Sequence, residues 1–218
     1  MKRVIAIDGP SGAGKTTIAR QIAHRMEFDY LDTGALYRAV ALQLRKRGLG
    51  PEAPDDAIRG VLSGLDVTFR NGCVFLNGTD VSDTIRTTEI DYYSSVFSAR
   101  KIVRDFLLEA QRASAMHQDL VVEGRDTTTV VFPDAWKKIY LDASLRERAG
   151  RRRQQFLQKG ICISMDEAEK AVGERDLRDS SRDIAPLQRA PDAVFIDSSD
   201  MTVTQVAEKI LELIKATD

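Results

Sequence analysis

The chain has 218 residues, which is long enough for one domain with a substantial core and inserted segments. Hydrophobic residues make up 43% and charged residues 30%, as in an ordinary globular protein. The formal net charge of −1 argues against broad electrostatic binding to nucleic acid or to a membrane surface. No apolar run approaches the roughly 18 residues of a membrane span.

Five short apolar runs are separated by helical patterns, which is typical of an α/β fold with a parallel sheet and helices on both of its faces. We expect all five strands to be buried, and they are Val4–Ile7, Tyr30–Leu31, Leu120–Val122, Ile139–Leu141 and Val194–Ile196. Towards the C-terminus, Thr202 and Gln205 predict a capping box at the start of a helix whose apolar face packs on the sheet.

The segment GPSGAGKTT directly follows the first strand and leads into a helical pattern, which is the context that a phosphate-binding P-loop requires. Its glycines let the backbone wrap phosphate groups, and the N-terminus of the next helix adds partial positive charge. We expect Lys15 to reach the β- and γ-phosphates and the Thr16 hydroxyl to bind Mg²⁺. The loop residues expected on a nucleoside triphosphate are Gly9, Pro10, Ser11, Gly12, Ala13, Gly14, Lys15, Thr16 and Thr17.

Two further segments place polar residues at the carboxyl ends of strands, where ligands bind in such folds. In YLDTGALYR, Thr33 is expected to cap a helix or contact a ligand, and Arg38 lies one turn further on. In LVVEGRD, Glu123 can hold Mg²⁺ through a water molecule, and Arg125 and Asp126 offer a phosphate-binding fork and an acceptor. The alternative for Arg125 and Asp126 is a local surface ion pair.

Two regions interrupt the alternation of strands and helices. Residues 65–83 contain two Asn-Gly pairs, and VTFR-NG-CVFL predicts a tight antiparallel hairpin, because both central residues of a type I′ turn have positive φ. An antiparallel patch in a parallel fold indicates an inserted subdomain. Residues 146–182 are rich in arginine, whose planar guanidinium group suits phosphate, although a solvated helical surface is the alternative for any single arginine there.

The P-loop by itself does not separate GTPases, ATPases and kinases. The chain has no Asn-Lys-x-Asp motif, which GTPases use to read guanine. The strand before Glu123 continues as Glu-Gly-Arg-Asp, without the Asp-Glu pair that is usual in motor ATPases. Neither class therefore fits this chain well.

Several motifs taken together resemble the bacterial cytidylate kinases. IDGPSGAGKTT, LDTGALYR, VVEGRDTTTVVFPDA, KIYLDAS and ERDLRDSSRDIAPL occur in the order and spacing of that family, and the likeness covers nearly the whole chain. The resemblance implies a single P-loop NTPase-type kinase domain over 1–218, with a small antiparallel β insertion and a helical lid. Its parts are a core (1–32, 118–145 and 183–218), an acceptor insertion (33–117, with the small sheet at about 65–88) and a lid (146–182).

The same resemblance implies ATP as phosphate donor, Mg²⁺ as cofactor, and CMP or dCMP as acceptor. It places Lys15, Arg125 and Arg182 in catalysis, and it adds Arg148 and Arg152 of the lid to the ATP site. Arg104 and Asp126 would read the cytosine, Asp179 would bind the ribose, and arginines would bind the phosphate. The full set implied for the acceptor is Thr33, Arg38, Ser95, Arg104, Arg125, Asp126, Arg175, Asp179 and Arg182.

Cys73 and Cys162 match no zinc or Cys-x-x-Cys spacing, so we expect two reduced thiols and a cytoplasmic location. We expect a monomer whose partners are the small nucleotides CMP, dCMP and ATP, with no nucleic acid or membrane partner.

One position departs from the family pattern Gly-Arg-Asp-x-Gly-Thr-Val-Val, because Thr128 stands where the glycine is usual. If that backbone needs positive φ, a threonine shifts the loop beside Asp126. Two other interpretations of the chain stay open. It could be a kinase for another acceptor (UMP, AMP, dTMP or a non-nucleotide metabolite such as shikimate), or a P-loop nucleotide-sensing module without transfer activity.

Overall fold

The computed structural model describes residues 2–216. Its strands are β1 (Val4–Asp8), β2 (Asp29–Asp32), β3 (Val67–Arg70), β4 (Cys73–Leu76), β5 (Thr79–Asp80), β6 (Leu120–Gly124), β7 (Lys137–Asp142) and β8 (Val194–Asp197). Its α-helices are α1 (Lys15–Met26), α2 (Thr33–Lys46), α3 (Asp55–Leu62), α4 (Thr88–Phe97), α5 (Lys101–Ala113), α6 (Leu145–Leu157), α7 (Met165–Ser180) and α8 (Val203–Lys215).

The main sheet has five parallel strands in the order β2-β6-β1-β7-β8. This confirms the predicted parallel sheet and the position of every predicted strand. The register sets Ile7 of β1 and Asp32 of β2 on either side of Glu123 in β6. Because the strands are parallel, their carboxyl ends meet at one edge of the sheet, and the polar residues that follow them come together there.

Helices cover both faces of the sheet. Successive side chains of β1 point to opposite faces and pack against different helices. Val4 and Ala6 belong to a core cluster with α2, α3 and α5, whereas Ile5 and Ile7 belong to a second cluster with α1 and α8. All of these side chains are buried, as expected for a central strand of a parallel sheet.

The second sheet is small and antiparallel, with the order β3-β4-β5. Asn71 and Gly72 form the turn between β3 and β4 with φ of 52° and 77°, so the predicted Asn-Gly hairpin is confirmed. Val67, Val74 and Leu76 of this sheet are buried in the core cluster that includes α2, which anchors the sheet to the domain.

One local expectation is wrong, and one of the two alternatives for Thr33 is excluded. The strand β8 is not buried, because it lies at the edge of the sheet, and Val194 and Phe195 are 41% and 45% exposed. The residue that caps α2 is Asp32, whose carboxylate accepts a hydrogen bond from the Ala35 amide at 2.9 Å, so Thr33 is the first helical residue.

The C-terminal helix α8 begins with the predicted capping box. The Thr202 amide donates a hydrogen bond to the side chain of Gln205, and the Gln205 amide donates one to the side chain of Thr202. Its buried residues Val206, Ala207 and Ile210 pack with the sheet and α1. Among the helices between residues 2 and 216, none combines the length and the apolar character that crossing a bilayer demands.

Candidate active site

A cavity of about 780 Å³ lies at the carboxyl edge of the main sheet. The P-loop, the start of α2, the end of β6 and the helices α4, α6 and α7 all contribute to its walls. Residues of the segments 33–117 and 146–182 therefore face the P-loop across one space, which is large enough for small-molecule ligands.

The P-loop glycines are required by close backbone approaches. Gly9 and Gly12 have φ of 151° and 78°, and a Cβ on Gly9 would lie 1.9 Å from the carbonyl oxygen of Leu141. A Cβ on Gly12 would lie 2.7 Å from the carbonyl oxygen of Arg148. The loop therefore runs directly against the end of β7 and against α6, and a side chain at either glycine would displace it.

Lys15 begins α1 and is buried beneath the P-loop. Its ammonium group donates hydrogen bonds to the carbonyl oxygens of Gly9 and Pro10 at 2.7 and 2.8 Å. Burial, and then the positive charge of Arg125, lower the pKa of Lys15 to about 7. The amine therefore gains or loses its proton near neutral pH, at a loop that offers backbone amides to an anion.

Thr16 and Glu123 form the pair of oxygen ligands expected for Mg²⁺. The Thr16 hydroxyl donates a hydrogen bond to the Glu123 carboxylate, which also accepts one from the Tyr30 hydroxyl at 3.1 Å. Burial and the nearby Asp32 raise the pKa of Glu123. The described residues hold no group of three or more His, Cys, Asp or Glu side chains able to form a complete metal cage. Mg²⁺ bound together with phosphates needs only one or two protein ligands, so Thr16 and Glu123 fit it.

Thr33 and Arg38 of α2 both face the cavity. The Thr33 hydroxyl donates to the carbonyl oxygen of Glu123 at 2.8 Å, so its oxygen can act towards a ligand only as an acceptor. Arg38 pairs with the carboxylate of Asp32 at 3.0 Å. The same Asp32 caps the helix, so one carboxylate orients both the helix start and the guanidinium.

Arg104 and Asp126 form a buried ion pair at the cavity wall. A second nitrogen of Arg104 donates to the carbonyl oxygen of Ser98 at 3.1 Å. Burial raises the pKa of Asp126, and the guanidinium of Arg104 partly offsets this. The two residues predicted to read the cytosine are therefore adjacent to each other and largely buried.

Asp179 of α7 gathers three predicted site arginines. Arg125 donates to its carboxylate at 2.9 Å, Arg182 lies at 3.5 Å, and Arg175 lies at 4.0 Å. Although burial opposes it, these guanidinium groups hold the pKa of Asp179 below its usual value. Arg125 thus pairs with Asp179 and not with Asp126, which excludes the local surface ion pair considered above.

Ser95 of α4 is buried at the cavity wall, where its hydroxyl accepts a hydrogen bond from Arg178 at 3.2 Å. Arg178 lies within the ERDLRDSSRDIAPL motif, but the sequence analysis assigns it no role. Its participation could have been inferred only from its position in the ERDLRDSSR segment, between Arg175 and Arg182.

The position of Arg148 differs from the expectation that it contacts ATP. Arg148 lies behind the P-loop and donates to the carbonyl oxygens of Ala143 and Ser11 at 2.9 and 3.0 Å. It also pairs with Asp176, whose carboxylate accepts a hydrogen bond from the Ser11 amide at 2.9 Å. Arg148 does not line the cavity, and its donors are engaged with the loop, so it supports the P-loop from outside.

Two other arginines of the same helix, Arg151 and Arg152, do line the cavity. Arg152 pairs with Asp91 of α4, across the opening from its own helix. Arg151 donates to the carbonyl oxygens of Ala13 and Ser198 at 3.1 and 2.9 Å. Neither Asp91 nor Ser198 is signalled by any local sequence motif.

A buried carboxylate joins the P-loop strand to the loop after β6. Asp8 accepts hydrogen bonds from the amide and hydroxyl of Thr127 at 3.0 and 2.7 Å. It accepts two more from the amide and hydroxyl of Thr128, both at 2.7 Å. Thr128 does not have positive φ, so the threonine does not strain the loop. These four hydrogen bonds hold the residues directly after Asp126 against β1.

The chain is similar to known proteins over nearly its whole length. A family model described as cytidylate kinase matches residues 5–216. The cytidylate kinase of Thermodesulfovibrio yellowstonii is 50% identical over 216 residues, with 97% of each chain covered. That of Geobacter sulfurreducens is 45% identical and covers 97% of this chain and 92% of its own. A solved structure of an uncharacterized protein from Eubacterium ventriosum has a TM-score of 0.55 at 12% identity, with 99% of each chain covered, and shares the fold.

Proposed function

The chain belongs to the cytidylate kinase family of phosphotransferases, and on this premise we propose that it transfers the γ-phosphoryl group of ATP to CMP and dCMP. Two sets of phosphate-binding groups face each other across the cavity, and this arrangement carries the proposal. The P-loop with Lys15 forms one set, and the arginines around Asp179 form the other.

On the donor side, the P-loop amides and Lys15 would bind the ATP phosphates. We propose that Arg152 contacts ATP from the lid and that Arg151 takes the place expected for Arg148, because Arg151 lines the cavity. The pairing of Arg148 with Asp176 would keep the loop in the shape that binds phosphate.

On the acceptor side, Arg38, Arg125, Arg175 and Arg182 would bind the monophosphate and Asp179 the ribose. The carboxylate of Asp126 would accept a hydrogen bond from the amino group of cytosine but would repel the carbonyl oxygen of uracil. Arg104 would donate to the N3 or O2 acceptor of the base, with Thr33 and Ser95 beside it. A buried polar pair of this kind discriminates strongly, because the wrong base leaves groups unpaired.

Thr16 and Glu123 would hold Mg²⁺, Glu123 through a water molecule. When bound, the ion supplies positive charge close to the phosphate oxygens. The direct hydrogen bond between the two side chains places both oxygens side by side at the P-loop.

Catalysis in such a site is mostly positioning and charge stabilisation. The acceptor phosphate is already an anion, so the reaction needs no general base. Lys15 and Arg125, with Arg182 behind them, would stabilise the charge on the transferring group, and the lid arginines would enclose it. Closure of the lid would exclude water and so suppress hydrolysis of ATP.

Each proposed site residue comes from one chain, so the reaction requires no second copy and we propose a monomer. The free thiols Cys73 and Cys162 suit a reducing compartment, and we propose a cytoplasmic location. The net charge of −1 supports small nucleotides as partners over nucleic acid.

Steady-state kinetics with ATP and a panel of CMP, dCMP, UMP and AMP tests the proposal. CMP and dCMP should give the highest kcat/KM and should stimulate the formation of ADP. A higher kcat/KM for UMP or AMP would favour a kinase with another acceptor. ATP binding without transfer to any acceptor would favour the nucleotide-sensing module.

A further inference from the structure

Asp91 of α4 lies among three arginines that come from three other helices. Its carboxylate pairs with Arg175 of α7 at 2.7 Å and with Arg152 of α6, and Arg38 of α2 lies 4.0 Å away. All four side chains line the cavity. One carboxylate thus joins the acceptor insertion to the lid across the cavity opening.

The three partners are all arginines assigned above to nucleotide phosphates. Arg38 and Arg175 belong to the proposed acceptor site, and Arg152 belongs to the proposed ATP site. A carboxylate has the charge and the oxygen geometry that suit a guanidinium fork, as a phosphate does. Asp91 therefore presents to these arginines the same chemistry as the ligand they are proposed to bind.

Asp32 and Asp179 also pair with arginines of the proposed acceptor site, but each has a further role. Asp126 and Asp179 lie where the base and the ribose are proposed to bind, and Asp32 caps a helix. Asp91 has no such role, and its side chain is 16% exposed and lines the cavity. A phosphate bound to Arg152 and Arg175 would lie within a few ångströms of it, and the two negative charges would repel each other.

We propose that Asp91 is an internal counter-ion that occupies the phosphate-binding arginines of the empty enzyme and that the nucleotide phosphates displace it. The inference rests on the proposed assignment of Arg38, Arg152 and Arg175 to phosphates. Because displacement opposes binding, a small anion that offers no other contacts binds poorly. A nucleotide overcomes the competition through its base and ribose, so Asp91 selects whole nucleotides over free phosphate.

The substitution Asp91→Asn tests this directly, because it removes the charge and keeps the shape. The matched control is Glu89→Gln on the same helix, whose exposed pair with Arg45 lies outside the cavity. Binding of inorganic phosphate to the full chain is measured by calorimetry and by the shift in Tm, without any nucleotide. Asp91→Asn should tighten the Kd for phosphate by about tenfold, and Glu89→Gln should leave it unchanged.

Two results would overturn the proposal. An unchanged Kd with a lowered Tm would make the cluster a structural ion pair only. A weakened Kd would mean that Asp91 orients the arginines while phosphate is bound. The phosphate-binding experiment contains no nucleotide, so its result does not depend on which acceptor the enzyme phosphorylates. An error in the proposed CMP and dCMP specificity would appear only in the kinetics with CMP, dCMP, UMP and AMP.

A measurement on the unaltered chain keeps the proposal testable if Asp91→Asn does not fold. The carboxyl carbon of Asp91 is followed by NMR while inorganic phosphate is added. Displacement from Arg152 and Arg175 should shift its resonance, together with the side-chain nitrogen signals of both arginines. If the chemical shift of the Asp91 carboxyl carbon does not change at saturating phosphate, phosphate does not displace Asp91 from the arginines.

Discussion

Asp8 and Thr128 are joined by two hydrogen bonds of 2.7 Å, one from the Thr128 amide and one from its hydroxyl. The pair connects the end of β1, directly before the P-loop, to the loop that carries Asp126. Thr128 occupies the position where the related pattern has glycine, and it has no positive φ that would favour glycine. The hydroxyl of this threonine thus adds a donor to a buried carboxylate that a glycine could not supply.

Replacing Thr128 by valine should therefore destabilise the fold by about 1 to 2 kcal/mol, because a buried carboxylate loses one hydrogen bond while the side-chain shape is kept. Urea unfolding measures the change. Thr129→Val is the control, because the Thr129 hydroxyl makes only a 3.5 Å contact with a backbone oxygen. Equal losses in both variants would show that the bond from the Thr128 hydroxyl contributes nothing of its own.

Lys15→Ala should lower kcat for transfer by about 10²- to 10³-fold, because the transferring phosphoryl group loses a preorganised cation. The control is Lys101→Ala, which removes a lysine from an exposed ion pair with Asp105. Circular dichroism establishes that both variants are folded. A Lys15→Ala enzyme with nearly full kcat would remove Lys15 from the catalytic residues.

Binding of ATP should take up protons above about pH 7. Burial and Arg125 lower the pKa of Lys15 to about 7 in the empty site, so the amine is largely neutral at pH 8. The phosphates favour the ammonium form and raise the pKa, so the complex holds more protons than the free protein. Calorimetry without Mg²⁺ in buffers of different ionisation enthalpy measures the uptake. Uptake that persists in Lys15→Ala would point to another group.

Asp126→Asn should lower the ratio of kcat/KM for CMP to that for UMP by about 10²-fold, because the amide can donate to the uracil oxygen that the carboxylate repels. Some loss of stability is expected as well, since Arg104 loses its counter-charge. Asp105→Asn, next to Arg104 in sequence but exposed and paired with Lys101, is the control. A parallel decrease with both acceptors would argue against base reading by Asp126.

Arg148→Ala should mainly lower the stability of the fold, whereas Arg152→Ala should mainly lower the activity with ATP. Arg148→Ala should destabilise the fold by about 3 kcal/mol, because Asp176 loses its partner and the P-loop loses its support. Arg152→Ala should destabilise the fold less, because Asp91 keeps Arg175 as a partner, and it should lower kcat/KM for ATP by about tenfold or more. Unfolding curves and kinetics compare the two. The opposite order of effects would restore Arg148 as the ATP contact.

Local signals in the sequence account for most of the fold. The P-loop, the Asn71-Gly72 turn and the capping box at Thr202 each depend on residues close together in the chain, and the structure confirms all three. The exposure of β8 did not follow from its apolar residues, because the order of strands decides which strand lies at the edge. The catalytic and binding roles of the named residues stay predictions, although the structure gathers most of them at one cavity.

The sequence by itself determined the family, the phosphate-binding loop and the set of charged residues available to a site, because these depend on residue type and short spacing. Only the tertiary structure decided which carboxylate meets which arginine. Arg148 and Arg152 are four residues apart in one helix, yet one supports the P-loop from behind and the other reaches Asp91 across the cavity. Such pairings depend on where sheet and helices place distant segments, and ion pairs act only over a few ångströms.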